Sequence, residues 1–169
     1  MTARSDVPSS ASTAAHAPSG AAGVAALVCR LLLGGLFVVS GLAKLTDPQL
    51  FAHAIKAFKI LPDHLIVLST FAVPWTELVI ALFLILGWWT RAAGWLALLV
   101  LAAFTVGIAS VLARGIHAEC ACFGAIKLLC TGPMGVCHLV RNAILMALAV
   151  CVGRMGGGSF GLDCCCRRD

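Results

Sequence analysis

An all-α fold, a four-helix transmembrane bundle with one short amphipathic helix at its edge, is what this sequence predicts. Three observations carry the prediction. Of the 169 residues, 61% are hydrophobic and only 11% charged, and the mean hydropathy is +1.03; a soluble domain carries roughly 25% charged residues. A chain this short has too little interior to hide so much apolar surface, so lipid must be the solvent for much of it. The apolar residues also gather in four long runs, and a helix needs roughly 20 of them to cross the hydrocarbon.

The first run extends from about Ala22 to Lys44, the second from about Leu65 to Trp88 with Pro74 inside it, the third from about Arg91 to Leu112 and the fourth from about Leu139 to Met155. Helices satisfy every backbone donor and acceptor internally, as lipid demands. The fourth run is short and opens on Arg141 and Asn142, so its outer turn is expected in the interface. Between the first two, Asp47 can cap a helix and Pro48 suits its first turn. Phe51, Ile55 and Phe58 then repeat at helical spacing, with Lys56 and Lys59 off that face and Leu61-Pro62 ending the run. This segment is expected to lie on the membrane. Trp88-Trp89 in the short turn after the second run suits an interface.

Residues 1–21, rich in Ser, Ala, Thr and Pro, read as a disordered tail, 22–155 as the membrane domain and 156–169 as a flexible cysteine-rich tail. The apolar run after the N-terminal tail is too long for a signal-peptide core, so it reads as an uncleaved anchor. The net charge of +5 raises the question of nucleic acid, but the twelve Lys and Arg stand singly between apolar runs. That is the pattern of membrane flanks, not of a phosphate-tracking stripe. Four spans put both termini on one side. Arg4, Arg30, Arg91, Arg154, Arg167 and Arg168 on that side balance Lys44, Lys56, Lys59, Arg114, Lys127 and Arg141 on the other, so the positive-inside rule gives no orientation.

The sharpest motif is Cys120-Ala121-Cys122-Phe123-Gly124, just after the third span. Two cysteines separated by one residue close a small, strained disulfide ring, and strain raises the reduction potential toward exchange rather than stapling. His117, Arg114 and Lys127 lie near enough in sequence to favour the thiolate. Cys130 and Cys137 in the same loop offer a second pair able to relay electrons. On residues alone, four structural cysteines or a metal site with His138 as a spare ligand also fit the loop, although the spacing matches no usual zinc or iron–sulfur pattern and no metal is assigned. The sequence argues against haem: Cys137-His138 lacks the upstream cysteine of the attachment motif, and no histidine lies mid-span.

Glu77, in Pro74-Trp75-Thr76-Glu77, falls inside the second span, and a carboxylate in hydrocarbon invites a functional reading. Counting residues from each face sets Arg30 within reach of it, so an Arg30–Glu77 ion pair is expected, either as a helix fastener or as part of a proton path. Lys44 and Arg141 lie nearer the cysteine-loop face and are expected to snorkel towards it. Gly34, Gly35, Ser40 and Gly41 in the first span are small residues that let helices approach. The terminal Cys164-Cys165-Cys166 could be acylated or bind a soft metal, but reads first as a thiol-bearing tail without chemistry.

Taken together these residues resemble the MauE/DoxX family of redox-associated membrane proteins, and more closely its methylamine-utilisation MauE branch. The likeness rests on Arg30 with Gly34 and Phe37, Ser40-Gly41-Leu42-Ala43-Lys44, Asp47-Pro48, Pro74-Trp75-Thr76-Glu77-Leu78, Cys120-Ala121-Cys122-Phe123-Gly124 and Arg141-Asn142-Ala143, and covers about Val24 to Val152. Cys130, Cys137 and the terminal triplet stand outside the family pattern. The resemblance implies a four-helix membrane bundle similar in architecture to membrane thiol oxidoreductases such as vitamin K epoxide reductase, a likeness of fold only. It implies thiol redox chemistry outside the cytoplasm, in the maturation of a disulfide-rich exported dehydrogenase subunit beside a thioredoxin-like partner. That places the chain in the inner (plasma) membrane with both termini cytoplasmic and the cysteine loop outside, where disulfides persist. No cofactor is identified; a lipid-soluble carrier such as a quinone, or the thioredoxin-like partner, is the expected electron exchanger. The other reading is a non-catalytic subunit or assembly factor of a membrane complex, its cysteines structural.

Overall fold

A computed structural model describes residues 20–59, 62–115 and 135–156. Among these the regular structure is entirely α-helical: α1 (Gly20–Thr46), α2 (Pro48–Phe58), α3 (Asp63–Leu86), α4 (Thr90–Ala113) and α5 (Val136–Met155). Four of them, α1, α3, α4 and α5, are long and apolar enough to cross a membrane. The fourth span begins three residues earlier than its apolar run suggests, because α5 starts at Val136 and carries His138 and Asn142 on its buried side.

The caps explain the boundaries. Asp47 Oδ1 accepts the Leu50 N–H at 3.0 Å, with Pro48 in the first turn of α2, as the sequence signals. Lys59, in the left-handed region (φ 50°), donates its N–H to the Lys56 carbonyl and closes the helix. Gly87 (φ 71°) and Trp89 (φ 50°) turn the chain between α3 and α4. There Trp88 packs edge-on against Phe83, ring centroids 5.9 Å apart.

One core joins the four long helices: Leu33 and Phe37 from α1, Ile80, Ala81 and Leu84 from α3, Ala93, Ala97 and Leu101 from α4, and Leu145, Ala149 and Val152 from α5. Outside it, Leu31, Leu32, Val67, Phe71, Trp75, Leu99 and Val106 are exposed, as helix faces turned to lipid must be. Packing is closest for α1 on α3 and for α4 on α5. Small residues permit both. Gly34 lies against Ala81, Leu84 and Ile85, and Gly41 against Pro74 and Leu78, whereas a Cβ on Gly35 would meet nothing. A Cβ on Gly94 would stand 2.7 Å from the Gly153 backbone nitrogen, so α4 and α5 touch main chain to main chain.

Those glycines fix the register of α1 on α3, and the register shows that α1 stops short. Thr46 lies five residues beyond Gly41, leaving the first turns of α3 uncovered by α1. The amphipathic α2 fills that gap. Its stripe of Phe51, Ala54, Ile55 and Phe58 is buried against Ile66 and Val73 of α3 and Phe104, Ile108 and Val111 of α4. His53, Lys56 and Lys59 face outward. The expected amphipathic helix is present, and its apolar face is turned onto the bundle.

Candidate functional site

The most polar point of the interior lies where α1, α2, α3, α4 and α5 converge. Lys44 projects back along α1, as helical side chains do, and its Nζ stands 2.6 Å from Ser40 Oγ one turn earlier. The same nitrogen donates to Glu77 Oε1 and Oε2 at 2.8 Å each. An ammonium has three donors, and here three oxygens receive them. The side chains are 1% and 4% exposed, a fully interior ion pair. The rings of Phe51 and Phe104 flank it, centroids 5.4 and 5.3 Å from Nζ, adding cation–π contacts on the sides without oxygens.

Beside the pair is a cavity of about 30 Å³, lined among others by Phe37, Ser40, Lys44, Glu77, Arg141 and Asn142. This is room for about one water, and Ser40, Lys44, Glu77, Arg141 and Asn142 place polar atoms on its otherwise apolar wall. Asn142 Nδ2 donates to Thr105 Oγ1 at 3.3 Å, and Thr105 donates to the Leu101 carbonyl at 2.7 Å. The site is thus a small polar centre enclosed by apolar helices, suited to holding charge, a water or a proton in low dielectric.

This geometry corrects two expectations. The ion pair of Glu77 is made with Lys44, not with Arg30. Arg30 is buried, 3% exposed, but it lies four residues before Gly34, which carries it past the Ile85 level to the turn after α3. Ten residues separate it from Ser40, about 15 Å at 1.5 Å per residue, too far for an arginine to bridge. Lys44, expected to snorkel outward, is instead the countercharge inside the bundle. Arg141, expected to reach for the same face, is half-buried and lines the cavity.

Ser40, Thr105, Asn142, Phe51 and Phe104 belong to this site and were not legible as such. Ser40 is the one the sequence signals, since Ser40 and Lys44 are four apart and share a helix face. The cross-helix partners follow from packing alone.

Of the loop cysteines, Cys137 lies in the first turn of α5 and is disulfide-bonded. Cys29 and Cys151 are free thiols, so the partner of Cys137 lies outside the described residues, as do Cys120, Cys122, Cys130 and Cys164 to Cys166. By chain connection the segment 116–134 joins the end of α4 to the start of α5. Next to Cys137, the buried His138 accepts the Gly135 N–H on Nδ1 at 3.3 Å, fixing the helix start. Among the described residues no three His, Cys, Asp or Glu gather as a metal site.

Residues 22–154 match the protein family described as Methylamine utilisation protein MauE. The chain belongs to the MauE family. The match runs through all five helices of this MauE protein and includes Lys44, Glu77, the Cys120-Ala121-Cys122 segment and Arg141. Family and fold together make it a multi-pass membrane protein. No match was found among curated proteins or among solved structures.

Proposed function

We propose that this MauE protein is a membrane component of thiol–disulfide exchange in protein maturation, with Cys120 and Cys122 as the exchanging pair. The observation that carries the proposal is the family match over a chain whose α4–α5 connection holds a CxC pair. In this reading a thiolate of one protein attacks a disulfide sulfur of the other, a mixed disulfide forms, and a second thiolate releases it. Two electrons and two protons change hands. A thioredoxin-like protein or a lipid-soluble quinone takes or returns them, and the substrate is an exported protein rich in disulfides. The cysteine segment lies outside the cytoplasm and both termini inside. The motifs around Lys44, Glu77 and Arg141 support placing the chain in a wider group with DoxX proteins. The bundle presents the loop, and the Lys44–Glu77 centre holds the helices that carry it.

The test is to trap the mixed disulfide. A Cys122→Ser variant in cells should accumulate a reducible adduct with a thioredoxin-like or exported cysteine-rich protein, and a Cys120→Ser/Cys122→Ser variant should not. Absence of any adduct, with exported disulfides formed as before in both variants, would reject exchange. A second reading, a non-catalytic subunit whose cysteines brace its own loop, is favoured by the disulfide at Cys137 beside the buried His138.

A further inference from the structure

A groove of about 560 Å³ opens between α3 and α4, with α2 packed over one end. It owes its volume to small side chains. Ser69 and Ala72 of α3 and Ala103 and Gly107 of α4 leave the space that larger residues would fill, while Leu99 and Val106 form an exposed rim. Its size is that of a ligand site, and its walls are almost wholly apolar. It faces outward from a helix pair that spans the membrane, so its occupant comes from the bilayer.

Basic residues stand just beyond one end of the groove. Phe58 lines it, over Gly107, and the Phe58 carbonyl accepts a hydrogen bond from the Arg114 guanidinium. Arg114 also donates to the Ser110 carbonyl at 2.9 Å, which holds its charge at this end. The next residue after Phe58 is Lys59, exposed, and Lys56 is one turn back. Asp63 is the acidic group here, 4.0 Å from Lys56, but both side chains are largely in solvent, so the pairing is weak. The exposed His53 and His64 add no negative charge. Along α3 the lining runs from Ser69 to Thr76 and along α4 from Leu99 to Gly107, about 10–12 Å at 1.5 Å per residue. That is about a third of the roughly 30 Å hydrocarbon, enough to seat part of an acyl chain.

We propose that this groove binds one anionic phospholipid, an acyl chain lying between α3 and α4 and the phosphate held by Lys56, Lys59 and Arg114. Basic side chains at a membrane surface select anionic headgroups, and the groove adds a fixed seat for the chain. The proposal is independent of the thiol reading.

The experiment is native mass spectrometry of the purified full chain from micelles doped with equal phosphatidylglycerol and phosphatidylcholine. One phosphatidylglycerol per chain should be retained, with a preference of roughly tenfold or more. Lys56→Ala/Lys59→Ala should cut the preference severalfold while a lipid is still held, and Ala72→Phe/Ala103→Phe should remove the lipid. Equal retention of the two lipids by the unaltered protein would overturn the proposal. So would displacement of the lipid by inorganic phosphate, or a dimer that forms as lipid is lost. The comparison on the unaltered protein decides the matter even if a variant fails to fold.

Discussion

Removing the Glu77 carboxylate would leave the Lys44 ammonium buried without this countercharge, in a medium where a lone charge is costly. Breaking a buried pair from one side typically costs about 3–5 kcal/mol. Glu77→Gln is therefore expected to lower stability by that order, measured as unfolding of the protein in micelles. Lys44→Met/Glu77→Leu should recover most of the loss, because two apolar groups leave no charge exposed to the interior. Arg30→Gln provides the control. With Arg30 about 15 Å away along the axis, its effect should add to that of Glu77→Gln within about 0.3–0.5 kcal/mol. Strong coupling of Arg30 to Glu77, and none of Lys44, would contradict the register derived from the glycines.

At the scale of the helices, the small residues divide into those that set a crossing and those that do not. Gly94 faces the Gly153 backbone, which cannot move aside as a side chain can. Gly94→Val should force α4 and α5 apart and cost about 1–3 kcal/mol, as overpacking does. Gly35→Ala meets open space and should be neutral or stabilising by up to about 1 kcal/mol through helix propensity. Thermal unfolding of the two variants side by side checks the contrast. The four spans are readable because lipid requires long apolar runs, and α2 because Asp47, Pro48 and the Phe51-Ile55-Phe58 stripe are local signals. The partner of Glu77 is not readable. Counting from each face assumes that spans start level, whereas α1 ends before the first turns of α3 and is shifted along it by close packing at Gly34 and Gly41. The cysteine motif is plain in the sequence, but spacing alone does not separate exchange from stapling.

For the whole molecule, the proposed exchange requires the α4–α5 connection to stand outside the cytoplasm, since disulfides persist on the oxidising side. After mild reduction of intact cells, a membrane-impermeant thiol reagent should label Cys120 or Cys122 and spare Cys164. Labelling of Cys164 alone would invert the orientation. Whether Cys120 and Cys122 exchange rather than staple is decided by a glutathione redox titration of the purified protein. Mass-shift thiol trapping would count the thiols, and serine at Cys130 and Cys137 would keep those sulfurs out of the count. Structural bridges lie below about −300 mV, and a labile pair should titrate nearer roughly −200 mV. A midpoint in that upper range is the predicted result, and a Cys120–Cys122 bond that stays oxidised throughout the titration would contradict it.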